Sequence, residues 1–110
     1  SDANLTLHFH DTRGSGLANV LAGLDAGVQN YDSSVGGLGG CPYAPGATGN
    51  IATEDLIYML EEMGIRTGVN LDKLLKCAKF ASELVEHDLP SHVLKAGSRT
   101  QLASPKTHYN

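Results

Sequence analysis

Two histidines stand two residues apart in Leu5-Thr6-Leu7-His8-Phe9-His10, a run in which apolar and polar residues alternate strictly. On a β-strand that spacing sends both imidazoles out of the same face, a few ångströms apart, as two neighbouring ligands of one metal ion require. Two polar residues on a wet sheet face satisfy the same pattern, so the pair alone does not make a site. Asp11 follows at once and is placed to accept the second ring N–H of a histidine, which would fix its tautomer. Further along, Cys41 lies between the glycines of Val35-Gly36-Gly37-Leu38-Gly39-Gly40 and the rigid Pro42. A thiol with a free pKa of about 8.5 is mostly protonated at neutral pH, which suits a proton donor as much as a nucleophile. A turn with an incidental cysteine is the plainer alternative. Asn50 and Glu54 close the stretch. An Asn oxygen is a hard, neutral ligand able to complete a histidine pair, yet read alone Asn50 is better explained as a helix-capping residue. Cys77, among Leu74, Ala78 and Ala81, reads as a packing residue with no chemistry.

These residues need elements to hold them. Residues 5–10 read as a strand with Leu5, Leu7 and Phe9 on one face and Thr6, His8 and His10 on the other. A turn at Asp11–Gly14 leads to a helix carrying Leu17, Val20, Leu21 and Leu24, with Gly27 where a helix-terminating glycine belongs. Val28–Ser33 reads as a second strand feeding a glycine-rich loop from Gly36 to Asn50. Thr53 is the expected N-cap of a helix with Glu54 and Asp55 in its positive first turn, running through Leu56, Ile57, Met59, Leu60 and Met63 to Gly64. Asn70 is placed to cap a further helix, Leu71 to Val85, that ends before Pro90. Its Lys73, Lys76 and Lys79 read as a solvated face, with Asp72, Glu83 and Glu86 nearby. From Ser91 on, the polar chain is expected to be a loose tail with at most one short helix.

Strands alternating with helices through tight connections imply an α/β fold with a parallel sheet. The apolar face of the first strand then lies under helices, and its polar histidine face points inward. A strand face that is inward and polar near its C-terminal end is the mark of the (β/α)8 barrel. A whole barrel takes about 250 residues, and this chain has 110. It is therefore expected to be the C-terminal part of a TIM barrel, about its last three β/α units plus C-terminal helices. The division is residues 1–90 as barrel and 91–110 as polar tail.

Composition removes several classes. No uncharged apolar stretch approaches the roughly 18 residues that cross a bilayer, which argues against a membrane span. Eight Lys and Arg against twelve Asp and Glu give a formal charge of −4, and without a basic run a nucleic-acid groove is not expected. Two cysteines, neither a CxxC pair nor a dense framework, fit a reducing compartment and read as free thiols. Nothing suggests a retained secretory signal, and an abrupt start just ahead of a strand points to a fragment. Of 13 glycines, the six at Gly36, Gly37, Gly39, Gly40, Gly46 and Gly49 crowd around Cys41 and mark backbone that takes positive φ or approaches a ligand closely.

Three segments carry a family resemblance: HFHDTRG at 8–14, DSSVGGLGGCPYAPGATGN at 32–50 and ATEDLIYMLEEMGI at 52–65. Together they resemble the hydroxymethylglutaryl-CoA lyases, members of the metal-dependent lyase and synthase barrels, over about Leu5 to Glu86. The HxH is shared with sibling enzymes. The glycine loop ending in Cys-Pro-Tyr-Ala is the specific part. The resemblance implies that His8, His10 and Asn50 are metal ligands, that the ion is Mg2+ or Mn2+, and that Cys41 is the catalytic thiol. It further implies that Glu54 supports the site, and that Gly36, Gly37, Gly39 and Gly40 belong to a lid that brings Cys41 in and excludes water.

The reaction it implies is a retro-Claisen cleavage of 3-hydroxy-3-methylglutaryl-CoA to acetyl-CoA and acetoacetate, a step of leucine degradation and ketone-body formation. His8 is expected to relay the hydroxyl proton and Cys41 to protonate the carbanion. Two departures stand out. Gly36 replaces the family's usual Ala, which is expected to loosen the lid. The Arg-Asp pair of the family's first strand has no counterpart here, so the isolated chain, without the N-terminal half of the barrel, is expected to be inactive or nearly so. A sibling Claisen-type synthase and a non-catalytic barrel fragment that self-associates through unpaired strand edges are the competing readings. The resemblance also implies a homodimer, and a bacterial cytoplasm is preferred over a mitochondrial matrix.

Overall fold

A computed structural model of the chain describes residues 4–39, 49–85 and 89–98. The alternation at 5–10 and the apolar run at 28–33 yield a short parallel ladder, β1 (Thr6–Leu7) with β2 (Asn30–Tyr31), in the register Thr6↔Asn30 and Leu7↔Tyr31. Both strands are shorter than expected. A ladder extends only where a neighbouring strand offers partners. Beyond Leu7 the chain finds a different neighbour: His10 bridges Asn50 in antiparallel sense, with Ile51 N–H donating to Phe9 O and Asp11 N–H donating to Gly49 O. The same segment reaches the other strand, where Ser34 bridges Ala52 in parallel sense. Residues 49–52 thus lie against the C-terminal ends of both strands.

Helix α1 (Gly16–Asp25) joins them. Its C-terminus is the glycine motif the sequence announced: Gly27 takes φ 92°, its N–H donates to Leu24 O, and Val28 N–H donates to Gly23 O. Helix α2 (Thr53–Glu62) starts one residue earlier than expected, because Ala52 is the N-cap and Thr53 is already helical. The Thr53 hydroxyl is instead 2.7 Å from that of Ser33. Helix α3 (Leu71–Val85) follows a turn, with Asn70 Oδ1 accepting the Lys73 N–H at 3.0 Å as an N-cap should.

The core is formed by Val20, Ile51 and Leu56, with Phe9, Leu17, Leu24, Tyr31, Met59 and Leu60 packed around them. Phe9 faces the helices as the alternation predicts, while Leu5, at the start of the strand, is 52% exposed. Cys77 is a free and exposed thiol, not a packing residue. Its neighbour Ala78 takes the fully buried position on α3, and a step of about 100° around the helix turns Cys77 away. The expected loose tail begins with buried Ser91, which caps α4 (His92–Ala96) by accepting the Leu94 N–H. Among the described residues no helix is long and apolar enough to cross a membrane.

Candidate active site

His8 and His10 follow β1 and come together just beyond it. Their rings lie edge to face with centroids 5.0 Å apart, close enough to address one ion from adjacent directions. His8 Nδ1 is 2.5 Å from Asp32 Oδ1. This carboxylate was not singled out from the sequence. The signal was present, since Asp32 lies in the second expected strand and continuing the β1–β2 register sets it opposite His8, but reading it required the pairing. A carboxylate on one ring nitrogen orients the imidazole and leaves Nε2 free, which is how metal-bound histidines are usually held. Asp11, expected in that role, has Oδ1 on the Gly16 N–H at 2.9 Å, at the start of α1.

Asn50 is brought to the same place by its backbone bridge to His10. The capping role preferred from sequence is not the one it has, as Ala52 occupies the N-cap of α2. Its Nδ2 donates to Leu38 O at 2.9 Å, while its Oδ1 is buried with no hydrogen-bond partner. A buried carbonyl oxygen without a donor costs on the order of 1–3 kcal/mol, and a cation is one way to satisfy it. The residues present therefore fit one side of a divalent-metal site: two imidazoles and an amide oxygen. Among the described residues no group of three His, Cys, Asp or Glu completes such a site.

Glu54 is fully buried, and both its carboxylate oxygens accept the Gly36 N–H, at 2.9 and 3.0 Å. It thereby fixes the start of the glycine loop, where Val35–Gly37 forms a short 3-10 turn and Gly36 holds φ 68°. Gly36 and Gly37 are buried and Gly39 is exposed. A side chain at Gly36 would strike Leu89, whose Cδ1 lies 2.2 Å from where a Cβ would stand. This part of the loop is therefore filled in rather than loosened by the glycine. Gly40 and Cys41 lie outside the described residues.

A parallel strand pair followed by two neighbouring imidazoles, an amide oxygen beside them and a helix that anchors a glycine loop are features of a metal-assisted α/β-barrel enzyme. The chain belongs to the HMGL-like family, whose model matches residues 1–81. It is 56% identical to the hydroxymethylglutaryl-CoA lyase YngG of Bacillus subtilis over 91 residues, 83% of this chain and 30% of that protein. It is equally identical to the mitochondrial hydroxymethylglutaryl-CoA lyase of Homo sapiens over 94 residues, 86% of this chain and 29% of that protein. Bacterial and mitochondrial relatives are thus both represented. An HMG-CoA lyase from Acinetobacter baumannii, solved with coenzyme A and 3-methylmalate, superimposes with a TM-score of 0.84 at 54% identity, covering 91% of this chain and 33% of that one. The architecture is that of the TIM barrel, and the chain spans about a third of the length of the relatives it matches.

Proposed function

We propose that this chain supplies the histidine-bearing third of a hydroxymethylglutaryl-CoA lyase, which cleaves 3-hydroxy-3-methylglutaryl-CoA to acetyl-CoA and acetoacetate. The observation that carries the reading is the buried, partnerless Oδ1 of Asn50 beside the His8–His10 pair. His8, His10 and Asn50 would hold Mg2+ or Mn2+, with further ligands from barrel strands outside this chain. When bound, such an ion supplies Lewis-acid polarisation of substrate oxygens.

The chain's own residues divide the remaining work. With Nδ1 engaged by Asp32, Nε2 is the nitrogen of His8 left to face the ion or the substrate. In the cleavage step that nitrogen accepts the proton of the tertiary hydroxyl, and Asp32 stabilises the resulting imidazolium. The hydroxyl oxygen becomes the ketone oxygen of acetoacetate as the bond to the methylene carbon of the leaving acetyl-CoA breaks. Cys41 gives its thiol proton to that carbon. Glu54 keeps the loop anchored by holding the Gly36 amide.

The test is acetoacetate release from 3-hydroxy-3-methylglutaryl-CoA by the full-length protein in the presence of Mg2+. Cys41→Ala is expected to lower kcat by about 10²- to 10⁴-fold, and Asn50→Ala to weaken Mn2+ binding. Release of a condensation product from a 2-oxo acid and acetyl-CoA, with no cleavage activity, would establish a sibling synthase instead.

A further inference from the structure

The segment after α3 packs on the underside of the glycine turn and not on open surface. Asp55, only 7% exposed, gathers it: its carboxylate accepts the Val93 N–H at 2.7 Å, the His92 N–H at 3.0 Å and the Ser91 hydroxyl at 3.3 Å. Ser91 is fully buried and Leu89 2% exposed. Thus fixed, the segment lays Leu89 over Gly36 and Pro90 over Gly37. The backbone oxygen of Asn50 meets the same spot, 3.2 Å from where a Gly37 Cβ would be, against 3.4 Å for the Pro90 ring. One residue on, Leu38 O takes the Nδ2 hydrogen of Asn50.

We infer that Leu89–Val93, clamped by Asp55, positions the metal-facing amide of Asn50 by holding the Val35–Leu38 turn in place. An amide presents its oxygen in one direction only once its nitrogen is anchored, and the anchor here is Leu38 O. That carbonyl stays put because Glu54 grips the Gly36 amide while Leu89 and Pro90 fill the space a side chain would take at Gly36 and Gly37. Leu89 and Asp55 are thus positioning residues, acting through Asn50. The assignment rests on the reading of Asn50 as a metal ligand.

The experiment measures Mn2+ dissociation constants from the electron paramagnetic resonance of free Mn2+, together with kcat and KM, in the full-length protein. Leu89→Ala is expected to weaken Mn2+ about tenfold, as loss of a residue that orients a ligand does, and Leu89→Met to restore it. Val20→Ala is the comparison for stability: it removes contacts of the Val20, Ile51 and Leu56 core while leaving Leu89 in place, and should lower the melting temperature with a smaller loss of Mn2+ affinity. If Leu89→Ala lowers the melting temperature like Val20→Ala and leaves Mn2+ affinity intact, the inference is overturned while the lyase reading stands. If Asn50→Ala itself leaves Mn2+ affinity intact, both are overturned.

Discussion

The head of α2 and the outer face of α3 break the usual rule of burial in opposite directions. At the head of α2, Glu54 and Asp55 are 0% and 7% exposed, while on α3 Phe80 and Leu84 are 61% and 67% exposed. The carboxylates can be buried because the chain brings backbone and side-chain donors to them, the Gly36 amide to one and the Ser91–Val93 group to the other. The apolar side chains of α3 find no comparable cover among the described residues. Satisfaction by nearby partners, more than residue type, decides what is inside.

The largest test of that contrast is Asp55→Ala. It leaves two amides and a buried hydroxyl without their acceptor, and at 1–3 kcal/mol for an unsatisfied buried group the full-length protein should lose about 3 kcal/mol in denaturant unfolding. A loss under about 0.5 kcal/mol would show that water replaces the carboxylate and that α4 is not clamped. Next is Asp32→Asn, at a half-exposed carboxylate on His8, expected to weaken Mn2+ binding about tenfold with little change in stability. Unchanged Mn2+ affinity would remove Asp32 from the site.

Smaller still, Phe80→Ser and Leu84→Ser should each change stability by no more than about 0.5 kcal/mol, as exposed positions do. A loss of several kcal/mol in the full-length protein would mean that this face is covered by surface outside the chain. The smallest effect belongs to Glu61, whose pKa is lowered because the Thr67 hydroxyl and N–H both donate to its carboxylate. Its contribution to stability is present above the ordinary carboxylate range and fades as pH falls through the lowered value. Thr67→Val should bring the Glu61 titration, followed by NMR, back up toward the usual value.

The same contrast separates what the sequence disclosed from what it withheld. Local chemistry was readable. Gly27 ends α1, Gly64 follows α2 with φ 85°, and Asn70 caps α3, because each of these signals acts within one helical turn. Nonlocal pairing was not. The expected strands shrink to two residues each, and the partner of His8 is Asp32 from the segment paired with it, a residue the linear sequence did not single out. Asn50 looked like a cap because it stands just ahead of a helix, and only the bridge to His10 shows what it faces. The clamp between Asp55 and Ser91–Val93 joins segments far apart in the chain, and no motif announces it. For Cys41 the sequence motif remains the whole of the argument.

The bridge between His10 and Asn50 has one more consequence. The two residues belong to segments separated by all of α1, β2 and the glycine loop. An ion gripped by both would be held only while that span is closed, because unfolding parts the two segments and releases it. Loading and folding would then be one equilibrium, and the melting temperature should climb with the logarithm of Mn2+ concentration above the dissociation constant.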